Sequence, residues 1–260
     1  MYKILSLALA SILSYATAVT AQNSDHTPVV VPDNERAKIE QVIQDYLLTN
    51  PEILELALRE LQRRRVDDQR TQMLDVAENY RGYLETNSNA GVLGNPKGDV
   101  TIVEFFDYQC GVCRRHFADV MRLVKEDGNI RWVARHFPIL DRPGELPLSQ
   151  ISARAAIAAQ KQGKFAAFHT EMMTSPGKVT IERIFKIAED VGIDVTKMQA
   201  DMDDVLTDKQ ITNGREIAIA IGFTGTPGYI IGKNILLGAE GYGAVKRAVE
   251  ATRRKNAAKQ

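Results

Sequence analysis

Val100-Thr101-Ile102-Val103-Glu104-Phe105-Phe106-Asp107-Tyr108-Gln109-Cys110-Gly111-Val112-Cys113 opens as a nearly continuous β-branched and aromatic run and closes on two cysteines separated by two residues. Unbroken apolar character over such a length is the pattern of a strand buried on both faces. The period then changes, with Cys113, Phe117, Val120, Met121 and Val124 recurring at helical spacing, so a helix follows from about Cys110. Ile130 to Phe137 reads as a second strand. Strand, helix and strand make a βαβ unit whose strands are predicted to run parallel. The dithiol therefore falls at a helix N-terminus, where unpaired backbone N–H groups and the dipole favour an anion. Cys110 is expected to be exposed, acidic and a thiolate near neutral pH. Cys113, one turn further in, is expected to be protected and to act as the resolving thiol. A zinc reading would recruit His116 into a C-x2-C-x2-H set, but spacing offers no fourth ligand, and placement between strand and helix argues for redox chemistry that needs no bound cofactor.

Two further features bear on that chemistry. Glu104 stands six residues before Cys110 inside the apolar strand. It reads either as an edge residue facing water or as a buried acid of raised pKa that exchanges a proton with Cys113. Thr226-Pro227 precedes a hairpin, and a cis bond there would lay an extended backbone edge against the dithiol; a trans turn proline is the equal alternative. The hairpin itself is Gly228 to Gly232 and Asn234 to Gly238, followed by a closing helix from Gly243 to about Arg254. Between the βαβ unit and the hairpin, Ser149 to Ile221 is helical throughout in pattern. The fold class is thus α/β, a thioredoxin-like sheet carrying an inserted helical domain at about 145–222 within a domain spanning 91–256.

Upstream, Met1-Tyr2-Lys3 and the apolar run from Ile4 to Ala18, ending in small residues, have the anatomy of a secretory signal peptide covering residues 1–21. Cleavage is expected after Ala21, with Ala18 the other choice, and the run is too short and too rich in hydroxyls for a membrane span. A polar leader from Gln22 to Pro32 precedes a helix capped by Asp33 or Asn34, with Ile39, Val42, Ile43, Tyr46 and Leu47 on one face. Asn50 is expected to cap a second helix with Pro51 at its first position, and Ile53, Leu54, Ala57, Leu58 and Leu61 on its face. Apolar spacing resumes at Met73, Val76, Tyr80 and Tyr83. An apolar stripe on such an arm, residues 34–84 of a segment 22–90, is buried either by another copy of the chain or by the body of the same one, and the expectation is the former, a homo-oligomer. Arg63-Arg64-Arg65 reads as a solvated helix face, and Asn87 to Asp99 as an Asn- and Gly-rich linker.

Composition closes off other classes. The 260 residues are 44% hydrophobic and 25% charged, which excludes disorder, and 33 Lys plus Arg balance 33 Asp plus Glu, so no positive field exists to hold nucleic acid. With only two cysteines, a disulfide-stapled framework is excluded and the pair must be read for reactivity.

The stretch Val103 to Cys113, together with Phe223-Thr224-Gly225-Thr226-Pro227-Gly228 and the helical insertion between them, resembles the DsbA family of periplasmic thiol:disulfide oxidoreductases. Tyr46-Leu47-Leu48-Thr49-Asn50-Pro51-Glu52-Ile53-Leu54 resembles the oligomerisation arm of the subgroup that includes the copper-sensitivity-suppressor protein ScsC and the Com1-type surface antigens. The likeness implies Cys110 as nucleophile, Cys113 as resolving cysteine, Glu104 as buried acid and Pro227 as the cis-proline, with Thr226, Gly111 and Val112 meeting the substrate. It also implies cysteine-containing substrate polypeptides and a membrane redox partner that recycles the dithiol in the periplasm. The chain departs from the family at Gly111-Val112, where a histidine is common. Lacking that cation, Cys110 should be less acidic and the protein a weaker oxidant. A copper-binding protein using the same two sulfurs is the alternative from another class.

Overall fold

The computed structural model of the chain describes residues 32–86 and 90–258; the predicted signal segment lies outside them. The chain divides into two compact units, Met1–Arg59 and Glu60–Gln260. In the first, α1 (Asp33–Thr49) starts after Pro32, so Asp33 stands inside the first turn with Glu35, where the dipole favours a carboxylate, and caps nothing. Asn50 likewise differs from expectation: its Nδ2 donates to the Tyr46 carbonyl at 2.8 Å, closing α1, while Pro51 begins α2 (Pro51–Asn79). No residue of α1 is buried, and Ile39, Val42, Ile43 and Tyr46 are each about half exposed or more.

The second unit contains the remainder of α2, a short π-helical turn (Gly82–Thr86), and a five-stranded sheet with helices. The strands are β1 (Gly91–Gly94), β2 (Val100–Phe106), β3 (Ile130–His136), β4 (Gly228–Ile231) and β5 (Asn234–Leu237), in spatial order β1-β3-β2-β4-β5. As the βαβ pattern requires, β2 and β3 are parallel; every other pairing is antiparallel. Helix α3 (Gly111–Asp127) links β2 to β3 and carries a buried stripe of Cys113, His116, Phe117, Val120, Leu123 and Val124. The insertion is α4 (Leu148–Lys161), α5 (Phe165–Thr174), α6 (Ile181–Asp190), α7 (Val195–Met202) and α8 (Val205–Ile221), and α9 (Tyr242–Ala257) closes the chain. No helix among the described residues is long and apolar enough to cross a membrane.

Strand alternation divides the core between the two faces of the sheet. Ile102, Phe106, Trp132, Tyr229 and Ile231 face the side that holds α3, α4, α5 and α9, whereas Val103, Phe105, Val133 and Ile230 face a second cluster. That second cluster is where the expected arm divides. Met73, Ala77 and Leu84 are buried in it beside Phe105 and Phe223, so the stripe resumed at Met73 is covered by the chain's own sheet. Buried Arg135 fastens the same segment, donating to the Leu84 carbonyl at 2.8 Å and to that of Tyr83, with its guanidinium 4.6 Å above the Tyr83 ring. Upstream, Arg63 and Arg64 pair with Glu60 and Asp67 along the exposed face of α2, as a solvated face should.

The linker reading of Asn87 to Asp99 is corrected by β1, which pairs with β3 at the sheet edge. Gly91 is not there for freedom. A Cβ on it would lie 2.1 Å from the Phe165 ring, so glycine marks the close approach of α5 to the strand.

Candidate active site

Because β2 alternates, Glu104 shares a face with Ile102 and Phe106 and projects toward α3, fully buried. Register supplies its partners. Tyr229 stands directly opposite it on β4, and Trp132 stands diagonally on β3, where Ala134 is the paired residue. Tyr229 Oη donates to Glu104 Oε1 at 3.0 Å and Trp132 Nε1 donates to Oε2 at 3.0 Å. The edge reading of Glu104 is thereby excluded. Burial pushes its carboxyl up to about 8, against the pull of the Tyr229 and Trp132 hydrogen bonds, and the charge of Cys110 adds to the rise.

Cys110 occupies the N-cap of α3, with extended backbone, and its Sγ accepts the Cys113 backbone N–H at 3.2 Å. A second contact joins Cys110 Sγ to the Thr226 carbonyl at 3.3 Å, and the Thr226–Pro227 peptide bond is cis. Hydrogen bonding from the Cys113 thiol, and then from Thr226 and the backbone N–H groups of Cys113 and Val112, holds the Cys110 thiol at about 6 although burial opposes it. Burial pushes the Cys113 thiol far above the ordinary range, aided by its neighbour's thiolate and by Glu104. The two thiols, free and three residues apart, are thus opposite in acidity. One expectation needs correcting: Cys110 is only 6% exposed, because the Thr226 segment lies across it, whereas Val112 beside it is 40% exposed.

All seven residues singled out in the sequence fall at this place or on its rim. Cys110, Cys113, Glu104, Thr226 and Pro227 converge, and Gly111 and Val112 form the exposed lip. Three residues that share the site were not assigned to it by sequence reasoning. Tyr229 and Trp132 looked like ordinary strand residues, and His116 was weighed only as a metal ligand. Its Nδ1 is instead 2.8 Å from Tyr229 Oη, both groups buried. The one signal available for Tyr229 was its place two residues after Pro227. Arg114, on the first turn of α3, donates to the carbonyls of Ser175 and Gly177 and ties the loop after α5 to the site, bounding an open depression with Gly111 and Met173.

A dithiol of split acidity at the N-terminus of the first βαβ helix, crossed by a cis-proline loop, defines the class of thiol:disulfide exchange domains. Residues 86–251 match the thioredoxin family model, and the chain belongs to that family; residues 35–66 match the copper resistance protein ScsC N-terminal domain. A thioredoxin-like oxidoreductase from Silicibacter pomeroyi is 40% identical, covering 67% of this chain and 98% of that one, with a TM-score of 0.62. The thiol-disulfide exchange protein alpha-DsbA2 of Wolbachia pipientis is 26% identical over 71% of this chain and 97% of that one, with a TM-score of 0.63. Among curated relatives, the Na(+)/H(+) antiporter NhaA of Herminiimonas arsenicoxydans is 27% identical over 63% of this chain, and the chain spans a quarter of that protein's length, 25%.

Proposed function

We propose that the protein is an exported thiol:disulfide oxidoreductase that exchanges disulfides with cysteine-containing polypeptides through Cys110 and Cys113. The observation that carries this reading is the placement of the pair: Cys110 at the N-cap of α3, its Sγ accepting the Cys113 backbone N–H and touching the Thr226 carbonyl, and Cys113 fully buried one turn in, an arrangement that lowers the first thiol's pKa and raises the second's. In the reducing direction, the Cys110 thiolate attacks one sulfur of a substrate disulfide and the other sulfur leaves with the electron pair. Cys113 then gives its proton to the Glu104 carboxylate and attacks Cys110, forming the Cys110–Cys113 disulfide and releasing the second substrate thiolate. The oxidising direction is the reverse. Thr226, whose carbonyl reaches Cys110, and the exposed Gly111-Val112 lip meet the substrate backbone.

Export to the periplasm, where such a pair can cycle with a membrane redox partner, is supported by the Met1–Ala21 segment. Self-association is supported by the exposed Ile39, Val42, Ile43 and Tyr46 of α1. Equilibration with glutathione, insulin reduction and oxidation of a reduced two-cysteine peptide, each against Cys110→Ser, test the activity; no exchange in any of them would end the reading. The name of the family matched at residues 35–66 favours a second reading, Cu(I) capture by the same sulfurs. Tight equimolar Cu(I) binding without exchange would replace the first reading by the second.

A further inference from the structure

Glu104 needs a route for its proton. It is fully buried, and its hydrogen-bond partners are Trp132 and Tyr229. The indole N–H only donates, so it cannot take a proton from the carboxyl. A tyrosine hydroxyl both donates and accepts. Beyond it stands His116, with Nδ1 2.8 Å from Tyr229 Oη and a buried Nε2. The charge of Asp119 on α3 and a hydrogen bond to the half-buried Gly241 backbone act on this imidazole. Around Glu104 itself the titratable groups are Cys110 and Cys113 on α3, Tyr108 before α3 and Tyr229 on β4; no lysine or arginine acts on it among the described residues.

We propose that Tyr229 and His116 form a proton relay that ties the protonation of Glu104 to the tautomer of His116, with His116 Nε2 as its outer end. The inference rests on the exchange chemistry proposed above, and donor and acceptor accounting dictates its two states. With Glu104 ionised, Tyr229 donates to Oε1, His116 Nδ1–H donates to Tyr229, and Nε2 is bare. With Glu104 protonated on Oε1, the carboxyl donates to Tyr229, Tyr229 donates to a bare Nδ1, and Nε2 carries the hydrogen. Passing from the second state to the first, the Glu104 O–H bond breaks as a new O–H forms at Tyr229. The hydrogen that Tyr229 held moves to Nδ1, and Nε2 gives up its own to solvent on the side of the half-buried Gly241. One proton leaves, no electron moves, and the carboxylate is ready to accept the Cys113 proton. Tyr229 and His116 are positioning residues that act through Glu104.

The test pairs an equilibrium measurement with a kinetic one. In the reduced protein, ¹⁵N signals of His116, assigned by their loss in His116→Asn, are followed while Glu104 titrates, between about pH 6 and pH 10 around its value of about 8. His116 should stay neutral and move its hydrogen from Nε2 to Nδ1 as the pH rises, and in Tyr229→Phe the tautomer should no longer follow. The resolving step is read by fluorescence of Trp132, the single tryptophan and a partner of Glu104. His116→Asn preserves an N–H donor for Tyr229 but cannot conduct, so it should slow that step by about tenfold or more and change its pH profile. One tautomer throughout the Glu104 titration, or unchanged rates and profiles in both variants, would overturn the relay. If the wild-type protein exchanges no disulfides, the proposed activity fails, and the tautomer titration alone decides the relay.

Discussion

Replacing Glu104 by glutamine should stabilise the protein, by an amount that depends on pH in a defined way. The folded carboxyl titrates at about 8 against an ordinary 4.5, so the folded state holds its proton more tightly than the unfolded chain does. The sign follows. A raised carboxyl pKa costs nothing below 4.5, and stability is lost progressively as the pH climbs from 4.5 to 8. Each unit is about 1.36 kcal/mol, so the folded wild type carries a cost of about 3 kcal/mol at pH 7 and about 5 kcal/mol at pH 9, and almost none at pH 4. The amide of Glu104→Gln is neutral at every pH. Its oxygen can accept from Trp132 Nε1 and its NH2 can donate to Tyr229 Oη, so little hydrogen bonding is sacrificed. Urea unfolding of the reduced variant and wild type at pH 4, 7 and 9 reads the difference directly. At pH 7 the gain corresponds to about 6–12 °C in Tm for a domain of this size. A gain that is the same at all three pH values, or a loss at pH 9, would refute the reasoning, because it would mean that the carboxyl is not held above its ordinary range by burial. The same variant should slow the resolving step by about 10²–10⁴-fold, since the proton acceptor is gone.

Four other perturbations follow from the geometry. Cys113→Ser should accumulate mixed disulfides at Cys110 on incubation with a peptide disulfide, visible by mass spectrometry, and failure to accumulate them would reverse the assigned roles. Val112→His should drop the Cys110 thiol below its present value of about 6 and move the reduction potential toward the oxidising end of the interval from about −270 to about −120 mV, within which the wild type is expected to fall by glutathione equilibration. A chain beginning at Glu60 should fold as a monomer by light scattering, while the longer chain associates. A cut extended to residue 84 should abolish folding, because it removes Met73, Ala77 and Leu84 from the core, where losing even one large side chain costs about 2–5 kcal/mol.

How much of this was legible in the sequence depended on the range of the interaction concerned. The apolar run of β2, the helical spacing after Cys110 and the two thiols at the junction are local, and each dictated its element and its chemistry without reference to distant residues. The helical insertion and the hairpin were legible for the same reason. Asn87 to Asp99 was misread because a glycine admits two causes. Chain freedom and the close approach of a neighbour look identical in a single sequence, and only Phe165, more than seventy residues away, shows that Gly91 serves the second. The arm, whose stripe could be covered by another copy or by the chain's own body, divides for a related reason. Met73 and Ile39 carry equivalent helical spacing, yet one is buried under Phe105 and Phe223 while the other is 48% exposed, and periodicity says which face is apolar without saying what covers it. Glu104 lay between these cases. Its oddness in an apolar strand was visible, but burial of a carboxyl is tolerable only where donors converge on it. Here they come from Trp132, 28 residues on, and Tyr229, 125 residues on, brought level by strand register. The acid's chemistry is therefore a property of the sheet: a change of register at β4 by one residue would turn Tyr229 to the opposite face and leave the carboxyl without its hydroxyl partner.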